Sequence, residues 1–354
     1  MTNSPEKRRS SDLFVVRAVH RVLGALVRMS VVRWSMLVLA RALPLASLRK
    51  ELIRLRVFPE AVEASLQGVG APGTRMTMVV GSPWDQVAAR LWWDSVSGYE
   101  APMPRLLTAL AARADRAIVV GANTGFYCLL FALGAKVSRV DAVEPWPPAV
   151  HRLRKNVALN DLDRQIVVWP VAAAPTDGTT LLYVPPPLQE DWPFEMSASL
   201  SPVHRRRHGE QIEVETKTLE SIRAASPQPV GVVLVDAEGY DVSVLQGAGS
   251  SLLRDRPLFF TEVTSDEVSA LEDLRAEWGF VSVEIRPTEA VITPRVVRPS
   301  HTLGRVPDSE GDTEYWISGL IPPERVTELE AVAAACALTV TRDEGLELHD
   351  GAKG

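Results

Sequence analysis

The stretch "VVGANTGFYC", residues 119–128, decides the fold. It closes an apolar β-branched run, passes through two glycines, and continues into residues that suit a helix. A strand that turns this tightly into a helix opens a βα unit. Working outward, "AIVV" at 117–120 reads as a buried strand and "FYCLLFALGA" at 126–135 as a helix ended by glycine. "VSRVDAVEP" is a second strand that stops in acid and proline, "PPAVHRLRKNVALN" the next helix, and "IVVWPVA", 166–172, the third strand. Strand and helix alternate at βαβ spacing, which implies a parallel sheet covered on both faces.

From 173 to about 229 the alternation lapses into short β-like pieces and loops, "GTTLLYVPPP", "SASLSP" and "IEVETKTL", an insertion laid over the sheet edge. It resumes with "VGVVLVDAEG" as an apolar strand, "DVSVLQGAGSSLL" as one helix, "PLFFTEV" as a strand and "SDEVSALEDLRAEWGF" as a helix. "VSVEIRP", "TEYWISGL" and a final helix, "PERVTELEAVAAACAL", complete the pattern, and residues 342–354 read as frayed.

Upstream, the chain is a different electrostatic object. Residues 1–60 hold twelve Lys and Arg against four Asp and Glu, which leaves 26 against 40 in the rest of a chain whose net charge is −6. The acidic remainder would repel phosphates, which argues against a nucleic-acid partner. Over residues 13–29 the pattern is helical, and at about 100° per residue Arg17, Arg21 and Arg28 share one edge opposite Val15, Val19, Val22 and Leu26. Such a helix either docks on an anionic membrane surface through residues 13–58 or packs on the body of the protein. The apolar stretch at 35–48 is broken by Arg41 and Pro44 and is shorter than the ~20 residues a spanning helix needs. No cleavable signal is evident, so a cytoplasmic location is expected, with the inner membrane face as the peripheral site. "GVGAPGT", 68–74, reads as a linker. The expected organisation is a basic helical extension over 1–70, a main α/β domain over 75–320, and a C-terminal helix and tail over 321–354. The two cysteines, Cys128 and Cys336, lie in apolar stretches without metal or disulfide spacing, which suits a reducing compartment.

Ligands of open parallel sheets bind beyond the carboxyl ends of the strands, where strand order reverses. Three features fall at such ends. Gly121 to Gly125 let the backbone approach a ligand, and the helix that follows offers unpaired N–H groups. Glu144 ends the next strand, where a carboxylate can accept the hydroxyls of a ribose. Asp236 and Glu238 end the apolar strand, and Glu262 closes the one after it. The dinucleotide pattern GxGxxG is absent, with Asn123 at its second glycine, so a cofactor without a pyrophosphate is favoured. S-adenosylmethionine, with a ribose and no phosphate, fits.

"VVGANTGFY", "AVEPWPPAVHRLRKNVALN", "VDAEGYDVSVLQGA" and "PLFFTEV" resemble, in order and spacing, the FkbM family of S-adenosylmethionine-dependent methyltransferases. "SGYEAPMPRLL", "SASL" and "KTLE" follow the same pattern, and the similarity spans 97–279. The resemblance implies the class I methyltransferase fold, a Rossmann-like three-layer α/β domain whose seven-stranded sheet has its last strand antiparallel. It also implies O-methylation of a hydroxyl on a sugar, polyketide or related metabolite. By position, Gly121, Ala122, Asn123, Thr124 and Gly125 would line the methionine and ribose side and Glu144 would hold the ribose. Asp236, Glu238 and Gly239 would stand beside the transferred methyl. The chain departs from the family at Val119, where an acid is usual, at Leu234, where a lysine is usual, and at Glu220, where aspartate is usual. Those departures keep open a non-catalytic binding module of the same fold, placed at a membrane surface.

Asp236 is the first candidate for the general base, with Glu238 beside it; a purely structural role for Asp236, capping the helix after Gly239, is the alternative. Asp236, Glu238 and Glu262 could instead hold Mg²⁺ through oxygen ligands. "HRRRH", 204–208, reads either as a solvated loop or as a recognition element for an anionic acceptor. Trp146 reads either as a contact for an adenine or as packing beside its prolines, and "LWWD", 91–94, belongs to the core.

Overall fold

A computed structural model describes residues 61–80, 86–96, 99–184, 198–200, 210–296, 304–307 and 312–343. The basic helical reading of 13–58 and the 204–208 loop lie outside these residues. Among the described residues, no helix is long and apolar enough to cross a membrane.

The chain enters through a hairpin, β1 (Ala61–Ser65) and β2 (Arg75–Val79), paired antiparallel from Ala61 against Val79 to Ser65 against Arg75. Residues 68–74 are therefore the connection within a hairpin. Val62, Ala64, Leu66, Met76 and Met78 are buried in the main core, so the hairpin belongs to the body of the protein. Helices α1 (Gln86–Asp94) and α2 (Met103–Ala111) follow. The "LWWD" expectation holds for Leu91, which is buried, and for Trp92, which packs against the same core.

The expected βα pattern then runs as read. Strand β3 (Arg116–Val120) leads through the glycine turn to α3 (Phe126–Leu129), which widens into a π-helical turn (Leu130–Gly134). Strand β4 (Arg139–Val143), α4 (Pro147–Leu159) and β5 (Ile166–Trp169) come next. The irregular segment folds as a small separate sheet of β6 (Ala172–Ala173), β7 (Gly178–Val184) and β8 (Glu210–Lys217), in the order β6-β8-β7. After α5 (Leu219–Ala224) comes the apolar β9 (Val230–Val235). The single helix expected at 241–253 is two short ones, α6 (Asp241–Leu245) and α7 (Ser250–Arg254), parted at Gly247–Gly249. The chain closes through β10 (Leu258–Thr264), α8 (Val268–Trp278), β11 (Val281–Ile285), β12 (Glu289–Thr293), β13 (Gly304–Pro307), β14 (Asp312–Ile321), α9 (Val326–Ala335) and β15 (Thr339–Arg342).

The large sheet runs β15-β12-β11-β14-β10-β9-β3-β4-β5, with β13 also paired to β14. From β5 to β11 this is the seven-stranded class I methyltransferase sheet: β14, last of the seven in the chain, is antiparallel to both β10 and β11. Strands β12 and β15 extend its edge, and Arg342, the first of the residues expected to fray, is paired there with Ile292. The sheet is covered on both faces because its strands are apolar on both. Ala117 and Val119 of β3 point into the core that contains α2 and α9, while Ile118 and Val120 point into the one that contains α5 to α8. Each fully buried valine of this kind contributes about 1.5–3 kcal/mol.

One polar group sits deep in this apolar assembly. Arg116 is fully buried, paired to Asp141 at 2.7 Å, and its other donors reach the carbonyls of Ile222 (2.6 Å), Arg223 (2.7 Å) and Ser226 (3.2 Å). Asp141 also accepts from Arg139 and from the Trp169 indole. The cluster ties β3, β4, β5 and the end of α5 together.

Candidate active site

Strand order reverses at β3, whose neighbours are β4 on one side and β9 on the other. Val120 and Val235, the last residues of β3 and β9, are register partners, and the Asp236 N–H donates to the Val120 carbonyl at 3.1 Å. Here Gly121 takes φ +68°, and a Cβ on it would lie 1.7 Å from the Asp236 carbonyl oxygen. The backbones of the two strand ends approach so closely that only glycine fits.

The turn is then fixed by its neighbours. Ala122 N–H donates to the Val143 carbonyl at 3.0 Å and Gly125 N–H to the Ala122 carbonyl at 2.8 Å. Asn123, at φ +48°, donates its N–H to Glu144 Oε2 at 2.8 Å, and Trp146 N–H donates to Glu144 Oε1 at 2.9 Å. The carboxyl of Glu144 therefore faces the glycine corner, and among the described residues each of its oxygens accepts one hydrogen bond. Burial pushes its pKa up to about 7, against the pull of the two N–H donors.

A cleft of about 670 Å³, counting the solvent-filled space at its mouth, opens at this point. It is lined by Gly121, Asn123, Glu144 and Trp146 from the expected set, by Asp236 and Glu238 across from them, and by Leu182, Ala198, Ser199 and Leu200 from the insertion. A second cavity, of about 410 Å³ with the solvent at its mouth included, shares Val120, Gly121, Asn123 and Asp236 with the first and adds Ala122, Thr124, Val119, Leu234, Tyr99 and Tyr127, among others. Asp236 is thus the acidic group common to both. Gly125 and Glu262 line neither cavity. Gly125 instead sets the left-handed backbone, at φ +98°, that starts α3.

The capping role considered for Asp236 falls to another residue. Asp241 accepts from the N–H groups of Ala237 (3.1 Å) and Gly239 (3.2 Å) and from the Thr261 hydroxyl (3.2 Å), and so closes the loop that carries Asp236 and Glu238. Its pKa is pushed up to about 7, first by burial and then by the charge of Glu267. Burial, then the charges of Glu262, Glu238 and Glu100, raises Asp236 well above the usual carboxylate range. Glu262 is raised likewise, by burial and then by Asp241 and Glu238. Among the described residues, no three His, Cys, Asp or Glu side chains are grouped so as to hold a metal ion, and Asp236, Glu238 and Glu262 form no such set.

Sequence reading missed Asp241, a carboxylate hidden among helix-like residues, and Glu100, which accepts a 2.6 Å hydrogen bond from the Tyr127 hydroxyl. The signal for Glu100 lay in "SGYEAPMPRLL", whose place beside the glycine turn is set by tertiary packing. The departures at Val119 and Leu234 are register partners across β3 and β9, both buried. The two form an apolar pair with no charge at either position. Glu220 accepts from the Ser251 and Leu252 N–H groups at the start of α7 and is a structural residue.

Residues 120–282 match the methyltransferase FkbM domain. The FkbM segment thus begins at the last residue of β3 and takes in the glycine turn, Glu144, the insertion and the Asp236 loop. Among solved structures, the chain is similar to the methyltransferase FkbM of Methylobacillus flagellatus at 15% identity, covering 58% of this chain and 43% of that one, with a TM-score of 0.34. It therefore spans less than half the length of that FkbM relative. It is also similar to the precorrin-6y C5,15-methyltransferase of Geobacter metallireducens (11% identity, 61% and 85% covered, TM-score 0.32). A third likeness is to the cofactor-bound Rv0187 from MTB (14% identity, 61% and 77% covered, TM-score 0.31). No curated protein matches the chain.

Proposed function

We propose that this chain is an S-adenosylmethionine-dependent O-methyltransferase acting on a hydroxyl of a small molecule or glycan. The observation that carries this reading is the convergence of the Gly121 corner and the Glu144 carboxyl on one cleft. The residues present suit the cofactor. Gly121 leaves a bare backbone surface, the carboxyl oxygens of Glu144 suit the two hydroxyls of a ribose, and the Thr124 hydroxyl is buried without a partner. Glu144 would hold the ribose; Trp146, Leu182 and Leu200 would enclose the adenine; Asn123 and Thr124 would lie along the methionine side.

When bound, the cofactor supplies an electrophilic methyl on a sulfonium. Displacement of that methyl needs mainly alignment with the acceptor oxygen. Asp236 lines both cavities, and burial beside other carboxylates makes its carboxyl more basic than usual, which strengthens it as an acceptor for the proton of a hydroxyl. With the loop held by Asp241, Asp236 is released from structural duty. Glu238 stands at φ +51° in the same loop, and its carbonyl accepts from the Ser199 hydroxyl at 2.8 Å, which draws the insertion over the cleft.

The test is incubation of the full chain with S-adenosylmethionine and metabolite fractions, read by mass spectrometry for the gain of one methyl group. Asp236→Asn is expected to keep cofactor binding and to lose methyl transfer by about 10²–10⁴-fold. A folded chain that binds no S-adenosylmethionine would end the enzyme reading.

A further inference from the structure

Asn156, on α4, is fully buried and uses both ends of its amide. Its Nδ2 donates to the Thr124 carbonyl at 2.7 Å, and its Oδ1 accepts from the Val79 N–H at 2.7 Å. The orientation is fixed, because the donor faces a carbonyl and the acceptor faces an N–H; the flipped amide would satisfy neither. We propose that Asn156 is a positioning residue that holds the glycine turn in its ligand-receiving shape and couples it to the N-terminal hairpin. Its consequence for cofactor affinity rests on the function proposed above.

Thr124 lies between two left-handed residues, Asn123 at φ +48° and Gly125 at φ +98°. Backbone of this kind persists only where its surroundings hold it. The bonds of Ala122 and Asn123 hold the turn from the side of β4, and that of Gly125 closes it upon itself. Asn156 holds it from behind, through the residue whose own hydroxyl is buried without a partner and lines the second cavity.

Asn160, one helical turn further along, provides the internal comparison. Its Oδ1 accepts from the Thr77 N–H at 2.9 Å and its Nδ2 donates to the Thr77 carbonyl at 2.7 Å. Both asparagines fasten β2 to α4, but only Asn156 extends a bond to the turn. Val79 of the hairpin and Thr124 of the turn therefore share one side chain, so a displacement of either is felt by the other. Coupling of this kind is reciprocal: what orders the turn also orders the end of β2.

The experiment compares Asn156→Ala with Asn160→Ala in the full chain, by backbone amide exchange without ligand and by titration with S-adenosylhomocysteine. Loss of one buried hydrogen bond corresponds to about a tenfold effect. Asn156→Ala is expected to speed exchange over residues 123–126 by about that factor and to raise Kd similarly; Asn160→Ala is expected to loosen Thr77 while leaving both within about threefold. In the unaltered chain, saturating S-adenosylhomocysteine is expected to slow exchange of the Val79 amide, a readout that holds even if Asn156→Ala does not fold. Equal effects of the two variants on the turn, unchanged exchange at 123–126, or S-adenosylhomocysteine that binds yet leaves exchange at Val79 unchanged would overturn the proposal. If the unaltered chain bound no S-adenosylhomocysteine while Asn156→Ala still loosened the turn, the cofactor reading would fail and the hold on the turn would stand.

Discussion

Titration of Glu144 gives the cofactor reading a quantitative signature. Each of its oxygens already accepts one backbone N–H, from Asn123 at 2.8 Å and Trp146 at 2.9 Å, so the carboxylate has only its remaining lone pairs for ribose hydroxyls. A proton on the carboxyl occupies one of them and turns an acceptor into a donor. Ligand binding therefore selects the ionised form, and with a pKa raised to about 7 that form is lost as pH falls through neutrality. The apparent Kd for S-adenosylhomocysteine should be nearly constant above about pH 8 and rise about tenfold between pH 7.5 and pH 6, approaching tenfold per unit below that. Glu144→Gln removes the titration. Its amide can accept from only one of the two N–H groups, so the variant should bind about 1–3 kcal/mol more weakly at pH 8, with a flat profile down to pH 5. Isothermal titration across this range is the assay. A flat profile for the unaltered chain, or an unchanged slope in Glu144→Gln, would refute the assignment of the ribose contact to Glu144.

Gly121→Ala would place a methyl 1.7 Å from the Asp236 carbonyl at φ +68°, against backbone that cannot swing aside, and should cost about 3–5 kcal/mol by denaturant unfolding. Gly125→Ala meets only the tip of Leu153 at 2.6 Å and should cost less; equal losses would contradict the close approach of the two strand ends. Arg116→Met leaves Asp141 short of one cation and removes the donors to three carbonyls, two of them buried, and should destabilise the chain by about 3–5 kcal/mol in the same assay. A loss below about 1 kcal/mol would show that the cluster is dispensable. Glu144 and Asp241, both raised to about 7, bind protons more tightly folded than unfolded. The stability they confer is full below about pH 4 and is lost as pH rises to about 7, so the ligand-free Tm should fall over that window. A Tm that rises from pH 5 to pH 8 would contradict it.

The fold was legible because its evidence is local and periodic: apolar runs of strand length at 117–120, 166–169 and 230–235 alternate with helices. The pairing of the glycine turn with Glu144 was legible for the same reason, since both lie at ends of consecutive parallel strands. What stayed hidden depends on contacts between distant segments. A glycine and proline run such as 68–74 suits a linker and a hairpin connection equally, and only the burial of Val62 and Met76 on either side separates them. Val119 and Leu234 are 115 positions apart, and only the register of β3 and β9 shows that they stand side by side. Asp236 and Asp241 look alike in sequence; the three donors gathered around Asp241 make it the loop's clasp and leave Asp236 to the cleft.

The most direct measurement is a crystal structure of the full chain soaked with S-adenosylhomocysteine. The ribose hydroxyls should lie about 2.6–3.0 Å from the Glu144 oxygens, with the backbone of Gly121 against the ligand and Asp236 facing the sulfur. A ligand bound elsewhere, or seated in the cleft with its ribose turned away from Glu144, would contradict the cofactor site described above.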